Sequence, residues 1–276
     1  MTGKKVRILL LDLVGVLLAA VVFLVPFYFI IVNAMKGPTE ASEMSIQLPR
    51  ILILDNFSKV LNYQNGIVLK AFFNSISMTI FSIVCIVVFC SMASFVMQRN
   101  QSRMSPVINF FMLVGLMLPP AIVPTFWVLN TLHIFKTMAS MVLIETAINM
   151  SFCVMLYRAF VGSIPREIDE AAIIDGCGSL RLFFSIIFPL LKPVTATAVV
   201  LNAVNIFNDF VNPLYFLPGK NNVTVQLTLY YFHSAYNSSW NLLFADVVLI
   251  SIPPLILYIF FNKQIVSGMT AGAVKA

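Results

Sequence analysis

The stretch Ile164–Pro193 contains the residue types and spacing that could do chemistry, because it is a charged, amphipathic segment between two apolar ones. Pro165 suits the first position of a helix, where its missing N–H costs nothing. Gly176 suits the end of that helix. Acidic side chains near a helix start are stabilised by its positive end. Three such residues stand there: Glu167, Asp169 and Glu170.

The chemistry that this segment predicts is docking rather than catalysis. Ala171 and Ala172 give the helix a face of small side chains, which lets another protein's backbone approach closely. The alternative is an amphipathic linker resting on lipid, but an anionic leaflet repels the acidic first turn. Ser179 is predicted to cap a second short helix, which ends where Pro189 enters the next apolar segment.

A second polar cluster lies in the apolar segment 189–213. At about 100° per residue its polar side chains share roughly 120° of a helix surface. They are Asn202, Asn205, Asn208, Asp209 and Asn212. Such a face must meet protein or water, because polar groups in lipid are costly. Two interpretations stay open: hydrogen bonds between helices, worth about 0.6–2 kcal/mol each, favoured at Asn202, or a hydrated path for a solute, favoured at the outer end.

Two further carboxylates lie within or near predicted spans, Glu145 in the fourth and Asp246 in the sixth. An ionisable group at such a depth is a functional candidate. An ion pair or a position close to the surface would explain them equally well. The predicted translocation path comprises Glu145, Asn205, Asn208, Asp209, Asn212 and Asp246.

No enzyme site is predicted. The sequence contains no GxxxxGK[ST] phosphate-binding segment, no CxxC pair, and no nucleophile–base or metal constellation. Its two histidines, His133 and His233, lie far apart in predicted loops. We therefore expect no catalytic residue, no metal and no cofactor.

Composition places the chain in a membrane. Hydrophobic residues make up 60% of it, charged residues only 10%, and the mean hydropathy is +0.95. Soluble domains carry roughly a quarter charged residues. Segments near the ~20 residues that a spanning helix needs occur at approximately 8–34, 71–97, 106–130, 139–160, 189–213 and 243–262. The predicted fold class is all-α, a polytopic membrane protein with six transmembrane helices.

The basic residues predict the orientation, because cytoplasmic loops are rich in lysine and arginine. With both termini inside, eleven of the seventeen lysines and arginines lie on the cytoplasmic side, together with the charged segment. No linker or low-complexity tract divides the chain. We therefore predict one transmembrane domain, 1–276, in which 164–193 is a cytoplasmic loop.

The charged segment resembles the EAA loop of permease subunits in binding-protein-dependent ABC importers. The match rests on Glu170-Ala171-Ala172, Asp175-Gly176 and Pro189. In that family the loop is a coupling helix seated in a cleft of the ATP-binding subunit. The resemblance thus implies ATPase-coupling roles here, which we assign to Pro165, Glu167, Glu170, Ala171, Ala172, Asp175 and Gly176.

The resemblance extends over nearly the whole chain and is closest to the second permease subunit of maltose-type transporters. Asn208-Asp209-Phe210 is similar to the family's fifth span, although Phe207 stands where tryptophan is common. The tail resembles one that reaches the ATPase, through Gly272 and Lys275. Its alternative is a frayed terminus.

What the resemblance implies is a permease in the cell membrane of a prokaryote, importing a carbohydrate by alternating access. The implied partners are a second permease, two copies of an ATP-binding subunit that binds the ATP, and an extracellular solute-binding protein. Two alternatives are an importer of a phosphorylated polyol such as glycerol phosphate, which would favour a basic path, and an ion-coupled secondary carrier, which would give the acidic loop no role.

Overall fold

The computed structural model describes residues 3–100, 103–233 and 239–273, and every regular element in those ranges is helical. A π-helical segment (Leu182–Ile187) and a 3-10 turn (Val225–Thr228) interrupt the α-helices. In chain order the α-helices are α1 (Gly3–Ala34), α2 (Pro38–Ser42), α3 (Asp55–Leu61), α4 (Ile67–Arg99), α5 (Ser105–Met117), α6 (Ile122–Thr131), α7 (Met138–Val161), α8 (Glu167–Ile174), α9 (Ser179–Arg181), α10 (Phe188–Leu190), α11 (Lys192–Phe207), α12 (Val211–Phe216), α13 (Leu229–Phe232) and α14 (Trp240–Ala273).

Within the described residues, four helical stretches are long and apolar enough to cross a membrane: Leu11–Ala34, Ile67–Arg99, Met138–Val161 and Trp240–Phe261. Two bent pairs of helices bring the number to six if each pair is one span. The predicted all-α, polytopic fold class is confirmed, and the six predicted spans correspond to these four stretches and two pairs. The side of the membrane on which each terminus lies stays a prediction.

Prolines cause the first break, where α5 and α6 meet at 115°. Leu118 ends α5 with an extended backbone (φ −80°, ψ 129°), because the residue before a proline disfavours helical angles. Pro119 and Pro120 therefore break the third predicted span. Pro124 does not, since it lies in the first turn of α6, where its missing N–H costs little.

The second bent pair joins Ser179–Leu190 to Lys192–Phe207 at 77°. Pro189 and Pro193 are the second residues of α10 and α11, and in the first turn of a helix the missing N–H of proline costs little. Ser179 is the first residue of α9 and makes no cap bond, since Gly178 is the N-cap. The prediction that Ser179 caps this helix is wrong.

The chain forms two compact units, which are described separately: residues 1–70 with 227–252, and residues 71–226 with 253–276. The core of the second unit contains buried side chains from α4, α7, the π-helical segment and α11, among them Ile86, Tyr157, Ile187 and Ile206. This core supports both the charged segment and the polar residues that follow it. The single transmembrane domain stays a prediction.

Candidate functional site

Helix α8 is the centre of the charged segment, and it begins later than the sequence indicated. Arg166 is its N-cap, and the N–H groups of Asp169 and Glu170 donate to Arg166 O at 2.9 and 3.1 Å. Pro165 thus lies one residue before the cap, and its predicted place at the first helical position is wrong. The acidic residues do occupy the first turn, where the helix end favours negative charge.

The end of α8 is a glycine-terminated Schellman motif. The Gly176 N–H donates to Ile173 O, and the Cys177 N–H donates to Ala172 O, both at 2.9 Å. Gly176 has φ +79°, a left-handed conformation that glycine adopts without a Cβ penalty. Gly176 therefore ends the helix by its conformation, as predicted from the sequence.

The two faces of α8 differ in accessibility. Asp169 and Ala172 are buried against the chain's own core, at 8% and 5% exposure. The opposite stripe, spaced three and four residues apart as one helix face requires, is exposed: Glu167, Glu170, Ala171 and Ile174. Ile174 is 86% exposed. Of the predicted coupling residues, Ala172 thus packs inward, while the stripe, with Asp175 and Gly176 beyond it, is available to a partner.

The inward face of α8 holds an ion pair that sequence reasoning missed. Arg99 Nε lies 2.6 Å from Asp169 Oδ2, and Arg99 Nη2 donates to Asp169 Oδ1 at 3.4 Å and to Ile164 O at 3.0 Å. Arg99 is the last residue of α4. In the sequence Arg99 is recognisable only as a basic residue at the predicted inner end of a span. Such a residue indicates how the span is oriented but does not indicate which residue it contacts.

The polar stripe predicted for one helix is divided between two. Helix α11 ends at Phe207 and α12 begins at Val211. The prediction of one continuous polar face from Asn202 to Asn212 is therefore wrong in its outer half. At the break the Asp209 side chain accepts the backbone N–H groups of Val211 and Asn212, a local arrangement that competes with continuation of the helix. The predicted polar face is present only within α11, where it contains Asn202 and Asn205.

Asn202 and Asn205 join α11 to α7. The Asn205 Nδ2 donates to Asn149 Oδ1 at 3.0 Å, and the Asn149 Nδ2 donates to Glu145 O at 2.8 Å. The buried Asn202 amide donates to Ala198 O at 2.7 Å and lies 3.0 Å from Cys153 Sγ. These contacts provide the interhelical hydrogen bonds that were one of the two interpretations of the stripe.

Asp209 combines a helix cap with a carboxyl contact. Its Oδ1 accepts the N–H groups of Val211 and Asn212, at 3.0 and 3.3 Å, at the start of α12. Its carboxyl group also lies close to the Glu145 carboxyl on α7. Glu145 Oε1 and Asp209 Oδ2 are buried, and neither has a hydrogen-bond partner among the described residues. The two candidate path residues therefore meet, and they join α7 to the break between α11 and α12.

Asn208 and Asn212 face other surroundings. Asn208 Oδ1 accepts from Gln226 Nε2 at 3.3 Å, and its side chain is exposed. Asn212 lines a mostly apolar cavity of about 250 Å³, whose other walls are α6, α7 and the break before α6. A solute path through this region thus stays a prediction for both residues.

Asp246 belongs to the first unit, in which it is fully buried. Its Oδ2 accepts from Thr228 Oγ1 at 2.8 Å, and its Oδ1 makes no hydrogen bond. The structure thus gives Asp246 a hydroxyl partner rather than the ion pair that was one alternative. In the same unit the Tyr63 and Tyr231 rings pack 6.1 Å apart. The pKa of Tyr231 is raised, mainly by burial and to a smaller extent by the neighbouring Tyr63.

Another network in the first unit holds the segment that follows α1. The buried Lys36 Nζ donates to Asn33 Oδ1 at 3.1 Å and to Ser45 O at 2.7 Å. Asn56 Nδ2 donates to Ala34 O and Lys36 O, at 2.8 and 2.9 Å. The segment after α1 is therefore anchored to the end of α1 by side-chain hydrogen bonds.

We expect Asn56→Ala to lower the free energy of unfolding by about 2 kcal/mol, because two buried carbonyl groups lose their donor. The midpoint of thermal unfolding in detergent measures this change. Asn62→Ala is the matched control, since Asn62 is exposed and bonds within its own turn, and we expect it to alter stability by less than about 0.5 kcal/mol. Equal midpoints for the two variants would contradict the assignment.

The predicted tail contacts lie at the edge of the structure. Gly272 belongs to α14, and Lys275 lies outside the described residues. Among the described residues no group of three His, Cys, Asp or Glu side chains could hold a metal ion. The candidate site is thus α8 with its ion pair, followed by the polar contacts of α7, α11 and α12.

The chain is similar to known transport proteins. Residues 91–271 match a family model described as binding-protein-dependent transport system inner membrane component. A probable starch degradation products transport system permease protein, AmyC of Thermoanaerobacterium thermosulfurigenes, is 33% identical over 96% of each chain. The melibiose/raffinose/stachyose import permease protein MelC of Bacillus subtilis is 31% identical over 94% of this chain and 95% of its own.

The fold also has a solved counterpart. A chain of a bacterial ABC transporter involved in the import of the acidic polysaccharide alginate superposes with a TM-score of 0.84. It covers 95% of this chain and 98% of that one, at 19% sequence identity. At that identity the likeness concerns the fold alone, and it confirms the predicted importer-permease architecture.

Proposed function

Because the chain belongs to the family of binding-protein-dependent transport system inner membrane components, we propose that it is a permease subunit that imports a carbohydrate. It is a multi-pass membrane protein of the cytoplasmic membrane of a prokaryote, with both termini in the cytoplasm. The carbohydrate is a neutral oligosaccharide, since similar permeases carry names for starch products and for raffinose-type sugars. These names favour a sugar over glycerol phosphate as the substrate. They also favour an importer permease over an ion-coupled carrier.

The single observation that carries the proposal is the exposed stripe of α8. Glu167 and Glu170 of the first turn, Ala171 and the largely exposed Ile174 follow one helix face, and the described chain covers none of them. Exposed apolar side chains of this kind indicate a protein-binding surface. We assign the stripe to an ATP-binding subunit, with ATP bound and hydrolysed by that partner.

The proposed assembly has this permease, a second permease, two ATP-binding subunits and an extracellular solute-binding protein. Closure of the ATP-binding subunits would displace α8, and the helices attached to it would change access to the path from one side to the other. Glu145, Asn205, Asn208, Asp209, Asn212 and Asp246 remain the proposed path residues. Gly272 and Lys275 remain the proposed tail contacts.

The substrate class is tested by ATP hydrolysis of the co-purified importer in lipid nanodiscs. Solute-binding protein is added with maltotriose, raffinose, arabinotriose or glycerol 3-phosphate. We expect stimulation by at least one neutral oligosaccharide. Stimulation by glycerol 3-phosphate alone would overturn the sugar assignment, and uptake that continues without any ATP-binding subunit would indicate a secondary carrier.

We expect Glu170→Ala to lower the stimulated hydrolysis about tenfold while the complex stays assembled, because one contact worth ~1.4 kcal/mol is lost at the docking face. The control is Glu43→Ala, which removes an exposed acid from the loop after α1 and should leave hydrolysis unchanged. Equal activities of the two variants would remove the support for docking through α8.

A further inference from the structure

The contact between α4 and α8 is made by one arginine with three acceptors. The guanidinium of Arg99 meets both carboxylate oxygens of Asp169 and also the Ile164 carbonyl. The Nε–Oδ2 approach is an ion pair without a well-aligned hydrogen bond, and Nη2 supplies the aligned donors. The two side chains are only 14% and 12% exposed, so water screens this pair less than a surface pair.

The neighbouring residue of α4 makes a second contact, in another direction. Arg158, in the last turn of α7, donates from Nε to Gln98 Oε1 at 2.9 Å. Arg158 Nη1 also donates to Asn109 Oδ1 on α5. Space here is tight, because a Cβ on Gly162 would lie 3.0 Å from Gln98 Nε2. The last two residues of α4 therefore connect α8 on one side with α5 and α7 on the other.

This geometry restricts independent movement of α8. A guanidinium that meets a carboxylate at two points keeps a fixed orientation. If α8 moved alone, Arg99 and Asp169 would separate and leave two part-buried charges without partners, which is costly. Movement of α8 together with α4 keeps the pair intact. The Gln98–Arg158–Asn109 contacts then transfer that movement to α7 and α5.

We propose that Arg99 is a positioning residue of the transport cycle, which couples the displacement of α8 to α4, α5 and α7 through Asp169 and Gln98. The inference rests on the proposed docking of an ATP-binding subunit onto the outer face of α8. It assigns a role to the buried face of α8, where Asp169 lies. It also assigns a role to Arg99 at the end of α4, 70 residues away from Asp169 in sequence.

The test compares Arg99→Ala, Asp169→Asn and the reversed pair Arg99→Asp with Asp169→Arg in the reconstituted importer. Arg103→Ala is the matched control, because Arg103 is an exposed arginine four residues beyond Arg99. Each complex is checked for assembly, and both ATP hydrolysis and sugar uptake are measured with whichever of maltotriose, raffinose or arabinotriose stimulates the wild type most. The deciding quantity is the number of sugar molecules imported per ATP hydrolysed.

We expect assembled Arg99→Ala and Asp169→Asn complexes to hydrolyse ATP while importing about tenfold less sugar per ATP. The reversed pair should recover most of the ratio, and Arg103→Ala should match the wild type. A purely structural contact would lower the amount of assembled complex and leave the ratio unchanged. An unchanged ratio in Arg99→Ala would thus overturn the proposal.

A second measurement needs no sugar. Amide hydrogen exchange of residues 167–174 is followed by mass spectrometry in the full-length chain in nanodiscs. We expect exchange about tenfold faster in Arg99→Ala, recovery in the reversed pair and no change in Arg103→Ala. If no sugar stimulates even the wild type, the substrate assignment fails, and this exchange result decides the positioning role separately; unchanged exchange would overturn it.

Discussion

Gly176→Pro is expected to reduce sugar-stimulated ATP hydrolysis and uptake about a hundredfold. Proline requires φ near −65° and has no N–H, whereas Gly176 has φ +79° and donates its N–H to Ile173 O. The Schellman motif cannot form, so α8 loses its end and its exposed stripe loses its orientation. The measurement is stimulated hydrolysis of the assembled complex, with uptake into proteoliposomes as the second readout.

Gly178 supplies the matched control for this change. It has φ −71°, and a Cβ added there meets no atom within 4 Å, so Gly178→Ala should keep wild-type activity. Gly176→Ala should fall between the two, because an alanine in the left-handed region costs roughly 1–2 kcal/mol. If Gly176→Ala and Gly178→Ala behaved alike, the conformation of Gly176 would not be needed for coupling.

Asp209→Ala is expected to lower the free energy of unfolding by at least about 2 kcal/mol and to reduce uptake by tenfold or more. The change removes the acceptor for the N–H groups of Val211 and Asn212 and a carboxyl group close to that of Glu145. The break between α11 and α12 then loses the contacts that hold it against α7. Thermal unfolding in detergent and uptake into proteoliposomes measure the two effects.

Asp209→Asn separates geometry from charge. Its Oδ1 can still cap α12, and its Nδ2 can donate to the Glu145 carboxyl group, so stability and uptake should stay close to wild type. Asn208→Ala controls for the stability effect in the same segment and should leave the unfolding midpoint close to wild type, since Asn208 is exposed. If Asp209→Asn were as damaging as Asp209→Ala, the negative charge itself would be required, which would favour a direct role in the solute path.

The sequence contained most of the information on α8 because the relevant forces act within one or two turns. The acidic first turn and the glycine at its end are local signals, and both are present in the structure. The break at Pro119 is local in the same way. The start of α8 was misplaced by two residues, since a proline suits both the first turn and the position just before the cap.

The polar stripe shows where local reasoning fails. A helical repeat drawn from Asn202 to Asn212 assumes an unbroken helix, but Asp209 accepts backbone N–H groups of the next helix and ends that repeat. Glu145 and Asp209 stood as separate candidates in the sequence. Only the packing of α7 against α11 and α12 brings their carboxyl groups together.

The sequence by itself determined the membrane class, most of the helices and the position of the charged segment, because hydropathy, prolines and glycines act on the chain locally. The tertiary structure alone decided that Ala171 faces outward while Ala172 and Asp169 face inward, since burial of a helix face depends on what it packs against. It also decided the pairing of Arg99 with Asp169 across 70 residues. Charge and spacing cannot name a partner at that distance, because the fold decides which of many acids an arginine meets.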